Sequence, residues 1–357
     1  MSILSPEFWR ERPVVVTGHM GFKGAWLTCL LAQLGARTTG FGKDEREPLL
    51  YRTLSVPGHI SVTGDVNDTE ALVQALAKSG ASVLVHLAAQ PIVLTSYKDP
   101  LSTFRDNIMG TASVLEAARR TPTLEAIVIV TSDKVYENHG WPWGYRESDA
   151  LGGHDPYSAS KAAAEIVARS MFRSFFSGAD TPGVATARAG NVIGGGDWGD
   201  YRLLPDAARA YSRGAPLRVR NPASTRPWQH VLEPLMGYLQ LAQTLAANRN
   251  GLASDAWNFG PLPEDAIPVG QVVDLFTREW GTDARWQIDT PTENAPKEAF
   301  MLAVDSALSR AHLAWKPRWR VDEAVRRTAA WYRDYAAGAS SMQLVGRDID
   351  DYLSALN

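Results

Sequence analysis

The sequence predicts an α/β protein in which a doubly wound parallel sheet is followed by a smaller, mixed α/β domain. Strand-like and helix-like patterns alternate up to about residue 187, which is typical of βαβ units. The first strand runs directly into a glycine-rich turn and a helix. Glycine, proline and tryptophan become frequent after residue 187, which indicates a looser part that lines a cleft. We therefore predict domains over residues 1–187 and 188–357, with a helix at about 231–250 returning to the first.

The composition is that of an ordinary globular protein. Of the 357 residues, 45% are hydrophobic and 21% are charged. The 36 basic and 39 acidic residues give a net charge of −3, which offers no case for a nucleic-acid partner. The one cysteine, Cys29, excludes an intrachain disulfide framework, and the seven histidines lack metal-ligand spacing. Since no long apolar run or signal peptide is evident, we expect a cytoplasmic protein with no membrane segment and no metal.

The first strand and the turn after it indicate a dinucleotide site. Residues 13–17 are a β-branched run, and the turn follows with the pattern G-x-x-G-x-x-G. Gly18 permits a tight turn, Gly21 lets the backbone approach a pyrophosphate, and Gly24 lets helix and strand pack closely. The alternative is a plain tight turn. The predicted cofactor residues of this segment are Gly18, His19, Gly21, Phe22, Lys23 and Gly24.

The next two strands are expected to reach the adenosine half of the cofactor. Asp44 is predicted to contact the ribose, whereas Lys43 would tolerate a 2′-phosphate, so these residues leave NAD and NADP open. Asp65, followed by Val66, is predicted to contact the adenine, although a turn or helix cap is an equal alternative for Asp65.

The fourth strand, at residues 83–87, runs into small residues that let a cofactor lie against its end. We predict cofactor contacts from Leu87, Ala88 and Ala89. A long helix at about 101–120 carries Asn107, whose amide is suited to hold a water or a backbone carbonyl near the active site.

The fifth strand leads into the predicted catalytic residues. Residues 126–130 form an apolar run, and ligands bind at the carboxyl ends of parallel strands. Tyr157 and Lys161 are four residues apart and share a helix face, where an ammonium lowers the pKa of a phenol. This spacing is common on helices and gains weight only from the cofactor motif upstream. The predicted catalytic residues are Ser132, Asp133, Lys134, Tyr157 and Lys161.

Polar and aromatic residues after the next strand are candidates for binding a phosphorylated ligand. Asn191 and the glycine amides near it are suited to a phosphate oxygen. Arg220 and Arg226 lie on loops, and arginine binds phosphate in a bidentate way; the alternative is a pair of surface arginines paired with acids. The predicted substrate residues are Gln90, Arg188, Asn191, Asp197, Trp198, Leu204, Arg220, Arg226, His230, Lys297 and Glu298.

Several runs together resemble the extended short-chain dehydrogenases that act on nucleotide sugars, and most closely the 4,6-dehydratase branch that uses CDP-glucose. The matching runs, which span nearly the whole chain, are residues 18–24 (GHMGFKG), 86–91, 131–138, 143–147, 152–158, 187–198 and 226–234. The resemblance implies a Rossmann-type sheet and an NAD-dependent lyase in deoxysugar synthesis for surface polysaccharide. Its product would be the CDP-4-keto-6-deoxy sugar. It also implies a homodimer, or a tetramer, formed through a four-helix interface of the helices at about 101–120 and 157–172.

The resemblance implies a role for each catalytic residue. Tyr157 takes the proton of the sugar 4-hydroxyl, Lys161 lowers the pKa of Tyr157 and holds the nicotinamide ribose, and Ser132 binds the 4-oxygen. Asp133, when protonated, gives its proton to the departing 6-hydroxyl. Lys134 stands where related dTDP-glucose dehydratases have a glutamate that removes the C5 proton.

Two points stay open in the sequence. Lys134 would act as the C5 base only after losing its proton, and otherwise orients Asp133 or the 6-oxygen. An arginine expected near Leu94 is absent, which leaves one substrate contact in doubt. The alternatives are a nucleotide-sugar 4-epimerase or oxidoreductase on the same fold, and a cofactor-binding regulator without catalysis.

Overall fold

The computed structural model describes residues 4–43, 50–248, 251–252, 254–289 and 301–354. The strands are β1 (Pro13–Thr17), β2 (Arg37–Gly42), β3 (Ile60–Thr63), β4 (Val83–His86), β5 (Ala126–Val130), β6 (Gly183–Arg188), β7 (Val192–Ile193), β8 (Leu217–Val219), β9 (Thr225–Pro227), β10 (Gln229–His230), β11 (Ala256–Asn258), β12 (Ala266–Pro268) and β13 (Trp286–Ile288). The helices are α1 (Pro6–Trp9), α2 (Phe22–Gln33), α3 (Thr69–Ser79), α4 (Val93–Lys98), α5 (Pro100–Phe104), α6 (Gly110–Arg119), α7 (Pro156–Phe175), α8 (Leu203–Tyr211), α9 (Leu232–Asn248), α10 (Val269–Trp280), α11 (Ala307–Leu313), α12 (Val321–Ala336) and α13 (Ser341–Ser354).

A seven-stranded parallel sheet with the order β11-β6-β5-β4-β1-β2-β3 forms the centre of the molecule. The predicted α/β class and doubly wound sheet are confirmed. All five residues of β5 are buried because helices cover both faces of the sheet, which explains its unbroken apolar run. The strand order reverses between β1 and β4, and ligands bind at the carboxyl ends of strands at such a switch point.

The second half of the chain returns to this sheet twice. Helix α9 packs against β5 and β6, and β11 extends the sheet beside β6. Pairs of short strands, β7 with β10, β8 with β13 and β9 with β12, form the smaller part. The domain boundary at residue 187 stays a prediction, since the larger hydrophobic core is continuous from α1 to α13.

The helix predicted at residues 101–120 is interrupted. It consists of α5, one π-helical segment at Arg105–Met109 and α6. Such π segments often occur at functional sites. No helix in the described ranges is long and apolar enough to cross a membrane. In the same ranges, no group of three metal-ligating side chains is brought together.

Candidate active site

An elongated cavity lies at the carboxyl ends of β1, β4 and β5. One end is formed by the glycine turn after β1, and the other by the segment after β5 and the first turns of α7. The predicted cofactor and catalytic residues that line it are Gly18, Gly21, Phe22, Lys23, Gly24, Val66, Leu87, Ala88, Ala89, Ser132, Asp133, Lys134, Tyr157 and Lys161. The structure therefore brings the predicted catalytic residues and most of the predicted cofactor residues into one cavity.

The glycine turn has the shape that a dinucleotide requires. Gly18 has a φ of +71°, and a Cβ there would lie 2.6 Å from the backbone nitrogen of Ala88. A Cβ on Gly24 would lie 2.2 Å from the Gly18 oxygen. Gly21 is the N-cap of α2 and has no side chain that could bind the first amides of the helix. These amides are therefore available to phosphate oxygens in the cavity. The residues present thus fit the cofactor that the motif predicts.

Local capping positions the tyrosine and lysine that the sequence predicts to be catalytic. Asp155 accepts a hydrogen bond from the Ser158 backbone nitrogen at 2.9 Å and so fixes the start of α7. Tyr157 and Lys161 then lie one turn apart at the cavity wall. The Lys161 Nζ donates to the Val130 carbonyl at 3.3 Å, which ties the helix to the end of β5.

Burial dominates the electrostatics of the Tyr157 phenol. Burial raises the pKa of Tyr157 to about 12, and the nearby charge of Asp133 adds to the rise, whereas a hydrogen bond with the Ser132 side chain opposes it. Burial lowers the pKa of Lys161 to about 8, against the charge of Glu165, which raises it. The lowering of the phenol pKa by Lys161 stays a prediction, since desolvation sets the direction of the Tyr157 shift.

Arg188 does not reach the cavity, which corrects its prediction as a substrate residue. Its guanidinium is fully buried and forms an ion pair of 2.7 Å with Glu165 of α7. It also donates to the hydroxyl of Tyr136 at 2.8 Å. Because Glu165 follows Lys161 by one helical turn, Arg188 supports the carboxylate below the lysine instead of contacting a ligand.

The segment after β5 is folded into a short 3-10 turn, Asp133–Val135, capped by Ser132. The Ser132 hydroxyl donates to Asp133 Oδ1 at 3.1 Å. Asp133 is 2% exposed, and its Oδ2 has no hydrogen-bond partner among the residues that the structure describes. An unpartnered buried carboxyl oxygen is costly, so this atom is poised to meet a ligand.

Gly190 leaves the space that Asp133 occupies. A Cβ at position 190 would lie 1.7 Å from Asp133 Oδ2. We expect Gly190→Ala to displace the carboxylate from Ser132, to destabilise the fold by about 1–3 kcal/mol and to lower turnover more than cofactor binding. Denaturant unfolding, NAD titration and steady-state kinetics measure the three effects.

The control for this substitution is Gly346→Ala in α13. A Cβ there would have no atom within 4 Å. An alanine at position 190 with normal turnover would contradict the role of this gap.

A second cavity continues from the first toward the smaller part of the molecule. Both cavities are lined by Lys134, Asn191 and Arg202. Asn191 has a φ of +47°, a left-handed conformation that is uncommon for a residue other than glycine. The predicted substrate residues that line the second cavity are Asn191, Asp197, Leu204, Arg220 and Arg226.

Arg202 is a site residue that the sequence analysis missed. It precedes α8, lines both cavities and has its Nε 3.5 Å from Asp197 Oδ2. No motif surrounds it, and its placement depends on how α8 packs. The available signal in the sequence was the position of Arg202, a basic residue between a glycine-rich loop and the helix that follows it.

Two predicted cofactor residues lie beside the cavity instead of at its wall. His19 is buried, with its Nε2 2.7 Å from the Ser61 hydroxyl. Asp65 accepts hydrogen bonds of 2.9 Å from the backbone and side-chain nitrogens of Asn67, and Lys43 Nζ lies 3.3 Å from it. Asp65 thus acts as a turn cap, the alternative that the sequence left open.

Gln90 and Asn107 form a structural pair under the strand end. The Asn107 side chain accepts from the Gln90 nitrogen at 2.8 Å and donates to the Gln90 carbonyl at 3.1 Å. It also donates to the Ser160 hydroxyl at 2.8 Å, which links the π segment to α7. The Gln90 amide itself donates to the Thr103 hydroxyl at 2.9 Å, so we assign neither residue a ligand contact.

Trp198 and His230 belong to aromatic packing, which corrects both as substrate residues. The ring centroid of Trp198 lies 5.3 Å from that of Tyr332. His230 is fully buried, with ring centroids 5.6 Å from Trp26 and 4.8 Å from Trp319. These ring contacts join elements that are distant in the chain, such as α2 and β10. The predicted residues Asp44, Lys297 and Glu298 lie outside the described residues.

Comparisons with known proteins agree with this geometry. The family model described as GDP-mannose 4,6 dehydratase matches residues 15–328. A CDP-glucose 4,6-dehydratase from Salmonella typhimurium is 42% identical over 99% of this chain and 99% of its own length. A dTDP-glucose 4,6-dehydratase from Streptomyces antibioticus is 28% identical over 91% of this chain and 93% of its own.

Solved structures share the fold at lower sequence identity. A UDP-glucose 4-epimerase from Thermotoga maritima, with UDP-glucose, has a TM-score of 0.78 at 17% identity and covers 90% of this chain and 99% of its own. A dTDP-glucose 4,6-dehydratase from Bacillus anthracis, in complex with NAD, has a TM-score of 0.75 at 20% identity and covers 94% and 99%. These two likenesses show the fold alone.

Proposed function

The chain belongs to the GDP-mannose 4,6 dehydratase family of nucleotide-sugar dehydratases, and we propose that it converts CDP-glucose to CDP-4-dehydro-6-deoxyglucose and water. Enzymes of this kind are NAD-dependent lyases, as the sequence resemblance implied. The full-length similarity to the Salmonella CDP-glucose 4,6-dehydratase carries the choice of CDP-glucose. The meeting of Ser132, Asp133 and Tyr157 in one cavity supports the reaction class.

The first step requires removal of the sugar 4-hydroxyl proton. NAD, when bound, would supply a positive charge and the group that accepts and gives back a hydride. Tyr157 is the proposed base, held at the cavity wall by α7. The Ser132 hydroxyl lines the same cavity as Tyr157 and is placed to bind the 4-oxygen. Lys161 holds its amine beside the strand end, where a ribose hydroxyl fits.

Loss of water requires an acid at the 6-oxygen and a base at C5. Asp133 is the proposed acid because its Oδ2 is buried and has no hydrogen-bond partner among the described residues. Lys134, the next residue, lines both cavities and is half-buried. Lys134 is therefore placed where the sugar would lie between the two cavities. Exchange of the C5 proton in Lys134→Met distinguishes a role as the C5 base from a role as an orienting group.

The second cavity is the proposed site of the CDP group. Arg220 and Arg226 line it, and Asn191 lines both this cavity and the first. Since the whole chain carries a net charge of −3, the attraction for a diphosphate has to come from such local cations.

Arg226→Ala is expected to raise the KM for CDP-glucose about 10- to 100-fold, because a hydrogen bond to a charged group contributes roughly 1.5–3 kcal/mol. Arg226 is 7% exposed and lines the second cavity, so its charge is little screened by solvent. Steady-state kinetics with Arg213→Ala, an exposed residue beyond the cavity lining, provide the control. An unchanged KM would place Arg226 outside the substrate site.

Incubation of the protein with CDP-glucose and NAD tests the proposed function. The expected product has lost one water by mass, shows the absorbance of a 4-keto-6-deoxy sugar in alkali, and forms without net accumulation of reduced nicotinamide. Epimerised sugar, or reduced nicotinamide that accumulates with turnover, would favour the 4-epimerase or oxidoreductase alternatives. Parallel assays with dTDP-, UDP- and GDP-glucose measure the base preference.

A homodimer is also part of the proposal. Leu101, Met109 and Ile166 are 79%, 55% and 60% exposed, and they lie on α5, on the π-helical segment and on α7. These are the helices that the resemblance assigns to a four-helix interface. Light scattering after size exclusion measures the mass, and a monomer at micromolar concentration would contradict this assignment. The cytoplasmic location stays a prediction.

A further inference from the structure

The turn at residues 132–135, which carries the proposed acid, is held by α7 where it leaves β5. The Lys161 Nζ donates to the Val130 carbonyl at 3.3 Å. The next residue, Thr131, donates its hydroxyl to the Glu165 Oε1 at 2.5 Å. Lys161 and Glu165 lie one helical turn apart and therefore share a face of α7. This face thus holds two successive residues immediately before the turn.

Tyr136, which follows the turn directly, holds its other end. The Tyr136 hydroxyl accepts a hydrogen bond from the Arg188 Nη1 at 2.8 Å and donates to the Asn258 Oδ1 at 2.6 Å. Arg188 in turn donates to both carboxyl oxygens of Glu165, from its Nε to Oε1 at 3.0 Å and from its Nη2 to Oε2 at 2.7 Å. The two ends of the turn are therefore joined to one ion pair.

The Glu165 carboxyl is buried and has a fixed partner on every side. Burial raises its pKa, but Arg188 and the threonine hydroxyls together lower it below its usual value, so the carboxyl stays ionised. Each oxygen accepts two hydrogen bonds, since the Thr186 hydroxyl of β6 donates to Oε2 at 2.7 Å. A buried polar network in which every member has its partners is rigid. It therefore provides a fixed point for the turn.

We propose that Glu165, together with Arg188, is a positioning residue that fixes the 132–135 turn at both ends and so holds Ser132 and Asp133 in the first cavity. Neither Glu165 nor Arg188 is among the residues that line this cavity, so their effect on a reaction there passes through the turn. The inference rests on the proposed function for its meaning in the reaction, but its effect on the turn can be measured without sugar.

The hydroxyl partners of Glu165 are better test positions than the ion pair itself. Removal of either charge would leave the other buried without compensation and would destabilise the whole fold. Thr131→Val removes one donor to the carboxylate at the edge of the turn. Thr186→Val removes the corresponding donor in β6, away from the turn, and is the matched control. Thr131→Ser keeps the hydroxyl and tests for rescue.

Hydrogen–deuterium exchange of the protein with NAD and without sugar measures the turn directly, on peptides that span residues 131–138. Thr131→Val is expected to speed exchange in these peptides by about tenfold or more, because it deletes a hydrogen bond to a charged group. Thr186→Val and Thr131→Ser are expected to keep the native exchange there, since both leave the Thr131 hydroxyl on Glu165.

Turnover of CDP-glucose provides the second measurement. Thr131→Val is expected to lower kcat by roughly 100-fold, the effect of a small misplacement of reacting groups. The KM for CDP-glucose and the affinity for NAD are expected to change by no more than about twofold, as are all three constants in Thr186→Val and Thr131→Ser. Weaker NAD binding in Thr131→Val would indicate a direct cofactor contact and would overturn the proposal.

Tyr136→Phe provides a second route, at the other end of the turn, if Thr131→Val does not fold. It is expected to speed exchange in the same peptides and to lower kcat. Native exchange in both variants would overturn the proposal, and so would faster exchange with an unchanged kcat. Equal changes in Thr131→Val and Thr186→Val would also overturn it, since a general loss of stability would produce them.

The exchange measurement separates this inference from the proposed function. If the native protein does not turn over CDP-glucose, that result counts against the proposed function alone. Faster exchange in Thr131→Val but not in Thr186→Val would still support the hold of Glu165 on the turn.

Discussion

Replacing Tyr157 with phenylalanine is expected to lower turnover of CDP-glucose by roughly 10²- to 10⁴-fold, the usual contribution of a positioned general base. The ring keeps its place in α7, but the proton of the 4-hydroxyl loses its acceptor. The step affected is the first, so no reduced nicotinamide forms during a single turnover.

The matched control is Tyr335→Phe in α12, where a half-buried tyrosine stacks on Trp331 with ring centroids 5.2 Å apart. It is expected to leave the rate within a factor of about two, as for substitutions away from special features. Retained turnover in Tyr157→Phe would remove this residue from its proposed role.

Asp133→Asn is expected to separate the two halves of the reaction. The amide is nearly the same size as the carboxyl and fits the gap beside Gly190, but it is not an acid. Oxidation at C4 should persist while loss of water slows by roughly 10²- to 10⁴-fold. Reduced nicotinamide then accumulates in a single turnover. Stopped-flow measurement of its absorbance follows this accumulation. Equal loss of both steps would contradict the assignment of Asp133 as the acid.

Lys134→Met tests whether Lys134, the residue next to Asp133, is the C5 base or an orienting group. If Lys134 removes the C5 proton, its loss stops exchange of that proton with deuterium oxide, whereas Asp133→Asn allows the exchange to continue. If Lys134 only orients Asp133 or the 6-oxygen, exchange persists in both variants. Mass spectrometry of recovered sugar distinguishes these outcomes.

Features that depend only on residues close together in the sequence were predictable. The glycine turn after β1 can be read from sequence because its tight turn and its approach to Ala88 need a missing Cβ. Tyr157 and Lys161 are one helical turn apart, so their shared face follows from the helix itself. Alternating patterns likewise predicted the parallel sheet that the structure shows.

Membership of a motif did not reveal which way a side chain points. Arg188 and His230 both lie in runs that match the family, yet one is paired with Glu165 and the other is packed against Trp26 and Trp319. Both positions are fully buried because elements distant in the chain close over them. No local sequence pattern indicates burial of this kind.

The sequence by itself determined the sheet, the cofactor turn and the pair of Tyr157 and Lys161, because each is set by the conformation of a short segment. The tertiary structure alone decided which side chains join them. Gly190 makes room for Asp133, and Tyr238 reaches Lys23, only because strands and helices far apart in the chain meet at one edge of the sheet. The charge state of each group then follows from burial and from these neighbours, since desolvation and nearby charges act through space and not along the chain.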